Sequence, residues 1–227
     1  DLYELLKEKK KLFIKPFGAG KGTGVNQFQY INGKPYIGIK RSSRKEIINY
    51  MRKNDDWMIS ECMQQHSYSS DLYDKTVNTI RLITMRDIET QKIKIFFAVQ
   101  RIGTSATIPV DNGSRGGLVS KIDLETGKLS EARSLHSLEV HEVHPDSGAK
   151  IKGAVIPGWQ DIKKEILALA NKLSFMHFIA WDILVTKEGI CIIEANTSSG
   201  VNIIQLWGGQ RNKELGDFYR YHKAIRK

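Results

Sequence analysis

Phe178-Ile179-Ala180-Trp181-Asp182-Ile183-Leu184-Val185, then Thr186-Lys187-Glu188-Gly189, then Ile190-Cys191-Ile192-Ile193-Glu194-Ala195-Asn196, is the stretch on which the fold reading turns. Two apolar segments of strand length flank a polar turn ending in glycine, the pattern of a β-hairpin. Side chains alternate across a strand, so Glu194 and Asn196, two apart, share a face. Pairing about Lys187 to Gly189 brings Asp182 to the same end, and three oxygen-bearing side chains converge there. Magnesium takes such ligands in octahedral geometry completed by waters and phosphates. The plainer alternative is that Asp182 and Asn196 end strands and Glu194 faces solvent. Cys191-Ile192-Ile193 is an apolar setting for an unpaired carboxylate and weighs against it.

Upstream of this hairpin, Ile162, Ile166, Leu169, Ala170 and Leu173 recur at helical spacing from Trp159 or Gln160 onward. Val77 to Arg86, Ile93 to Arg101, Leu118 to Asp123 and Leu129 to Arg133 read as strands joined by turn signals, which favours antiparallel sheet. His136 to Gly158 has little periodicity and reads as an ordered surface or active-site loop. Nearer the start, Leu2, Leu5 and Leu6 suggest a helix feeding the short strand Leu12 to Lys15. A glycine-rich loop, Gly18 to Gly24, then opens a hairpin with its turn at Asn32-Gly33-Lys34. Ser43 with Glu46 three residues on is a capping box for a helix to Lys53, and Trp57 to Met63 reads as a further strand. The mixture indicates an α+β protein.

The 227 residues suit one large domain or two joined lobes, and 41% hydrophobic with 26% charged residues excludes disordered and fibrous classes. No stretch approaches a spanning helix, and Asp1-Leu2-Tyr3-Glu4 is no signal peptide, so a cytoplasmic location is expected. A formal charge of +10 favours anionic partners without choosing among them, and the basic end segments Lys7 to Lys11 and Arg220 to Lys227 read equally as solvated faces. Aromatic residues are not interleaved with a basic stripe, so no nucleic-acid partner is expected. Cys62 and Cys191 sit in apolar runs and read as buried reduced thiols.

Lys15 before the glycines suits phosphate binding, since glycine lets backbone N–H groups approach phosphate oxygens and lysine adds a point charge. The spacing is not that of a P-loop, so a loop closing over a nucleotide fits better, with an ordinary hairpin linker as the alternative. Arg81 and Arg101 interrupt apolar strands. Each needs an anionic partner, either a phosphoryl or carboxylate group of a substrate or an ordinary structural ion pair. His141-Glu142-Val143-His144 lacks zinc-helix spacing, and Pro145 opposes a helix there. His177 beside Phe175, Met176 and Phe178 reads as a packed core residue, and His66 as a nucleotide contact or a turn cap.

Glu194-Ala195-Asn196-Thr197-Ser198-Ser199-Gly200, preceded by Asp182, resembles the metal-binding end of ATP-grasp enzymes, notably the D-alanine:D-alanine ligases. The whole chain is more similar still to the sugar-transfer-associated ATP-grasp family. That likeness is carried by Lys15-Pro16, Asn78-Thr79-Ile80-Arg81, Asp111-Asn112-Gly113 with Gly116-Gly117, His144-Pro145 and Ile156-Pro157-Gly158-Trp159. The resemblance implies two α+β lobes, residues 1–63 and 64–227, with largely antiparallel sheets clasping ATP. Lys15, Gly20, Lys21 and Gly22 would then meet phosphates, Glu61, Cys62 and Met63 adenine, and His66 or Gln65 the ribose side. Asp182, Glu194 and Asn196 would hold Mg2+, or Mn2+ in its place, and Arg81 and Arg101 would be catalytic. It implies a carboxylate-amine ligase working through an acyl phosphate on small, sugar-linked acids and amines in surface-polysaccharide metabolism. A hydroxyl kinase and a non-catalytic nucleotide-binding module are the alternatives. Two departures stand out. Such enzymes generally bring another lysine from an earlier strand and often a further N-terminal domain, for which this sequence begins too late, and Ala180 occupies the place where the D-alanine ligases carry arginine.

Overall fold

The computed structural model describes residues 2–17, 24–54, 56–137 and 139–225. Its contacts divide the chain into two compact units, Asp1–Gln64 and Gln65–Lys227.

In the first unit, helix α1 (Leu2–Lys9) turns at Lys10 into strand β1 (Lys11–Pro16). Strands β2 (Asn26–Ile31), β3 (Lys34–Ile37) and β4 (Lys40–Arg41) follow, then helix α2 (Arg44–Arg52) and strand β5 (Trp57–Glu61). The sheet order is β4-β3-β2-β1-β5, antiparallel throughout. Leu12 and Ile14 alternate inward on β1 and pack with Leu6, Phe28 and Ile47. Burying each such side chain contributes about 1.5–3 kcal/mol. The capping box is present as expected: Ser43 Oγ accepts from Glu46 N at 3.2 Å, and Glu46 returns the bond to Ser43 N at 2.7 Å.

The second unit begins with helix α3 (Ser67–Leu72) and continues through strands β6 (Ile80–Arg86), β7 (Ile93–Ile102), β8 (Leu118–Ile122), β9 (Leu129–Ser134) and β10 (Val140–His141). Helix α4 (Trp159–Lys172), the hairpin β11 (Phe178–Thr186) and β12 (Gly189–Asn196), and helices α5 (Asn202–Gln205) and α6 (Glu214–Tyr221) complete it. The seven strands pair antiparallel in the order β10-β9-β8-β7-β6-β11-β12. One face carries Ile80, Leu82, Ala98, Ile102, Ile179, Trp181 and Ile183 against Trp159, Ile162, Ile166 and Ala170 of α4. The other carries Ile83, Met85, Phe97, Val99 and Ala180 against Ile204, Leu215 and Phe218 of α5 and α6. Both faces of the sheet are therefore covered.

Several local expectations change. Arg220 lies near the end of α6, an amphipathic helix that covers the sheet, and the residues after it that the structure describes are exposed. His177 is exposed rather than packed in the core, and its ring lies 5.0 Å from that of His222. Both cysteines are free and only half buried, so burial pushes the Cys62 thiol up without sealing it off. Among the described residues no helix is long and apolar enough to cross a membrane.

Candidate functional site

Three neighbouring strands run from apolar to charged along one face. On β7 the row is Phe97, Val99, Arg101. On β6 it is Met85, Ile83, Arg81, and on β11 it is Phe178, Ala180, Asp182. Alternation explains why each charged residue extends an apolar row. The register aligns the rows: Glu194 pairs with Asp182, Asp182 with Arg81, and Arg81 with Val99. Asn196 pairs with Ala180 and so lies on the same face as Glu194 and Asp182.

The charges engage one another directly. Arg81 grips Asp182 with a two-pronged fork, Nε to Oδ1 and NH2 to Oδ2 at 2.8 Å, while NH1 donates to Ser199 Oγ at 2.8 Å. Arg101 NH1 reaches Asp182 Oδ2 at 3.3 Å, and NH2 donates to Asp111 Oδ1 at 2.6 Å. Asp111, 4% exposed, also accepts from Thr79 N and Thr79 Oγ1, each at 2.6 Å. Burial opposes charge on Arg101, but Asp111, Asp182 and Glu194 outweigh it and hold the guanidinium above its ordinary value. Burial pushes the Asp111 carboxyl up, with Arg101 and the two Thr79 bonds pulling against it. Truncating one partner of such a network typically costs about 3–5 kcal/mol, because it strands the other charge. Gln100, fully buried behind this face, steadies the backbone by donating to the carbonyls of Thr79 and Arg101.

This end of the sheet offers oxygen donors of the kind magnesium takes. Among the described residues no group of three or more His, Cys, Asp or Glu gathers as a metal cluster; the set here is two carboxylates and a carboxamide. Glu194 is exposed and its carboxylate is open to an incoming ion. A carboxylate has about four lone-pair sites. Asp182 spends three of them on Arg81 and Arg101, which leaves one on Oδ1. The residues fit a divalent ion.

The remaining expected contacts are carried by other elements. Lys15 is on β1 opposite Met58, half buried, on the face away from Leu12 and Ile14. Glu61 ends β5 and takes an ion pair from Lys9 at 2.9 Å, Cys62 accepts from Gln27, and Met63 is exposed. Gly20, Lys21 and Gly22 lie outside the described residues. His66 caps α3, its Nδ1 accepting from Tyr68 N at 3.2 Å, which is the turn-capping alternative. His144 is fully enclosed: Nε2 meets Gly103 O at 2.8 Å, Nδ1 accepts from Asp146 N and Ser147 N, and the ring stacks on Tyr73. Residues 111–117 form a tight turn. A Cβ on Gly117 would stand 2.9 Å from the carbonyl oxygen of Asp111 and 3.0 Å from that of Asn112. Thr79 and Ser199 stand out in the sequence only as parts of motifs, and the segment from Asp111 to Gly117 reads there as a candidate for acceptor recognition rather than as a partner of Arg101. Alternation marks Arg81 and Arg101 as buried charges, but nothing local names their partners.

Two antiparallel α+β units, the second ending its sheet in paired carboxylates and arginines, define the ATP-grasp class. Residues 2–215 match the family described as sugar-transfer associated ATP-grasp, and the chain belongs to that family. The α+β fold expected from the sequence is the fold found. No curated protein matches. Solved structures that are similar include an ADP complex of purK, N5-carboxyaminoimidazole ribonucleotide synthetase, at 14% identity and TM-score 0.49, covering 96% of this chain and 43% of that one. The D-alanine–D-alanine ligase from Bacillus anthracis is similar at 12% identity and TM-score 0.41, covering 98% and 53%. The ATP-grasp ligase PsnB, complexed with a precursor variant, Mg and ADP, is similar at 11% identity and TM-score 0.43, covering 88% and 41%. The chain thus spans about half or less of the length of each.

Proposed function

We propose that this chain carries the ATP-handling apparatus of an ATP-dependent ligase that joins a carboxylate to an amine through an acyl phosphate. The observation that supports it is the convergence of Arg81, Arg101, Asp182 and Glu194 at one sheet end in a chain of ATP-grasp family membership. A substrate carboxylate oxygen takes the γ-phosphoryl of ATP and ADP leaves. The amine nitrogen then attacks the acyl carbon, loses a proton, and phosphate departs. No protein nucleophile is needed, because the demand is for charge stabilisation around the transferred group.

Asp182, Glu194 and Asn196 would hold magnesium, which supplies a Lewis acid for the phosphate oxygens. Arg81 keeps the Asp182 carboxylate in a fixed plane, and Arg101 presents positive charge beside it. In the first unit we assign phosphate contacts to Lys15, Gly20, Lys21 and Gly22, and adenine contacts to Glu61, Cys62 and Met63. The ribose side goes to His66, by the ring edge away from the Nδ1 that caps α3. The family description favours a small, sugar-linked acid as acceptor.

Product analysis of the purified protein tests this. ADP and phosphate formed only when both an acid and an amine are present support a ligase. ADP with a stable phosphate ester means a kinase, and nucleotide binding without turnover means a binding module. Glu194→Gln should lower turnover by about two orders of magnitude. Glu194 is exposed, so that variant should change stability by less than about 0.5 kcal/mol. Unchanged turnover would remove Glu194 from the site.

A further inference from the structure

The two arginines at the sheet end are held differently. Each nitrogen of Arg81 already donates, two to Asp182 and one to Ser199, so its guanidinium is committed in plane. Arg101 has one firm bond and one loose one: NH2 to Asp111 at 2.6 Å and NH1 to Asp182 at 3.3 Å. The first is a short, charge-assisted contact, and the second lies beyond the usual optimum of about 2.9–3.0 Å. NH1 is therefore the nitrogen most cheaply transferred to an incoming anion.

Asp111 is built as a mount for that arrangement. One carboxylate oxygen is spent entirely on Thr79, through both the backbone N–H and the hydroxyl, and Thr79 stands two residues before Arg81 on the same chain segment. Only the other oxygen reaches Arg101, so the pairing is single-pronged and leaves NH1 facing Asp182. An aspartate serving only to neutralise a buried arginine would gain more from a two-pronged fork. The turn that carries Asp111 is itself rigid: Gly117 N donates to Asn112 O at 3.1 Å, and the backbone there leaves no room for a Cβ on Gly117.

We propose that Asp111 is a positioning residue for phosphoryl transfer: it anchors Arg101 by one nitrogen so that the loosely held NH1 is presented to the γ-phosphoryl of the nucleotide. The inference rests on the ATP-dependent reading above and adds to it a division of labour, in which Arg81 orients Asp182 while Arg101, set by Asp111, meets the phosphoryl group.

Calorimetric titration with MgADP and with MgAMPPNP tests it, because only the second carries a γ-phosphoryl. In Asp111→Asn the carboxamide cannot accept from both Thr79 and Arg101, since its nitrogen would face one of these donors. The Kd for MgAMPPNP should rise about tenfold, the loss of one charge-assisted bond, while that for MgADP stays within about twofold. Thr79→Val keeps the Asp111 charge and removes one of its three bonds, so the same split of about threefold is expected. Should Asp111→Asn fail to fold, as judged by its melting transition, Thr79→Val decides alone. Equal weakening of both nucleotides, or of neither, would overturn the positioning role, as would a wild-type protein that binds the two equally. Those results leave ATP binding standing. A wild-type protein that binds neither nucleotide overturns both this role and the ATP-dependent reading.

Discussion

Replacing Asn78 by alanine should cost the second unit about 2–6 kcal/mol, although the side chain touches no proposed substrate contact. Asn78 is 1% exposed and spends its whole carboxamide on hydrogen bonds. Nδ2 donates to Ser69 O at 3.0 Å and Tyr73 O at 2.7 Å, and Oδ1 accepts from Thr76 Oγ1 at 2.7 Å and Gly103 N at 3.0 Å. Ser69 O keeps a bond from Tyr73 N, and the Thr76 hydroxyl is free to turn, so alanine strands chiefly Tyr73 O and Gly103 N. Each stranded buried group costs about 1–3 kcal/mol, which sets the range and consumes a large share of the roughly 5–15 kcal/mol that holds a typical domain folded. Urea unfolding followed by tryptophan fluorescence measures it, since Trp159, Trp181 and Trp207 all report on this unit. Asn78→Asp sharpens the test, because its carboxylate would face two carbonyl oxygens. Burial raises the pKa of such a group, so its penalty is present at neutral pH and shrinks as protonation supplies a donor. The gap to wild type should therefore narrow between about pH 7 and pH 5. A loss below about 1 kcal/mol for the alanine variant would refute this account of how the N-terminal end of β6 is fixed.

Three further outcomes are expected. Gly117→Ala should destabilise by about 1–3 kcal/mol in the same assay, because the colliding atoms are backbone; a neutral effect would mean that the turn can open. Asp87 is held well below the usual carboxylate range by the hydrogen bond from Lys94 and those from Thr90. Its folded value lies below its unfolded one, so its contribution is complete above the ordinary carboxylate value of about 3.9 and is lost as pH falls below it. Asp87→Asn should therefore flatten the acid limb of the stability profile, and an unchanged slope would count against that pairing. For Lys15→Ala, weaker MgATP binding by calorimetry is expected, and wild-type affinity would remove Lys15 from the phosphate contacts.

Much of the fold could be read locally. The capping box at Ser43 and Glu46, the stripe of α4 and the β11–β12 hairpin follow from 3.6-residue and two-residue periods, which are properties of neighbours in the chain. Alternation also put Glu194 and Asn196 on one face and marked Arg81 and Arg101 as charges needing partners. Short elements escaped notice. The six-residue α3 and four-residue α5 are too short to carry a periodic pattern, and α6 escaped the sequence reading although Leu215 and Phe218 have a sheet face to cover. The role of His66 as a helix cap depended on that unseen helix.

The partners of the buried charges belong to tertiary structure alone. Arg81 meets Asp182 across 101 residues and Arg101 meets it across 81, through a register set by the pairing of β6 with β11 and β7. A guanidinium in an apolar strand states only that some anion must lie near it. Which anion, and with which nitrogen left loosely held, is decided when the strands come together. The chain's local order could therefore set Glu194 beside Asn196 and mark Arg101 as a charge needing a partner, but the link from Asp111 to Arg101 became visible only once the sheet was assembled.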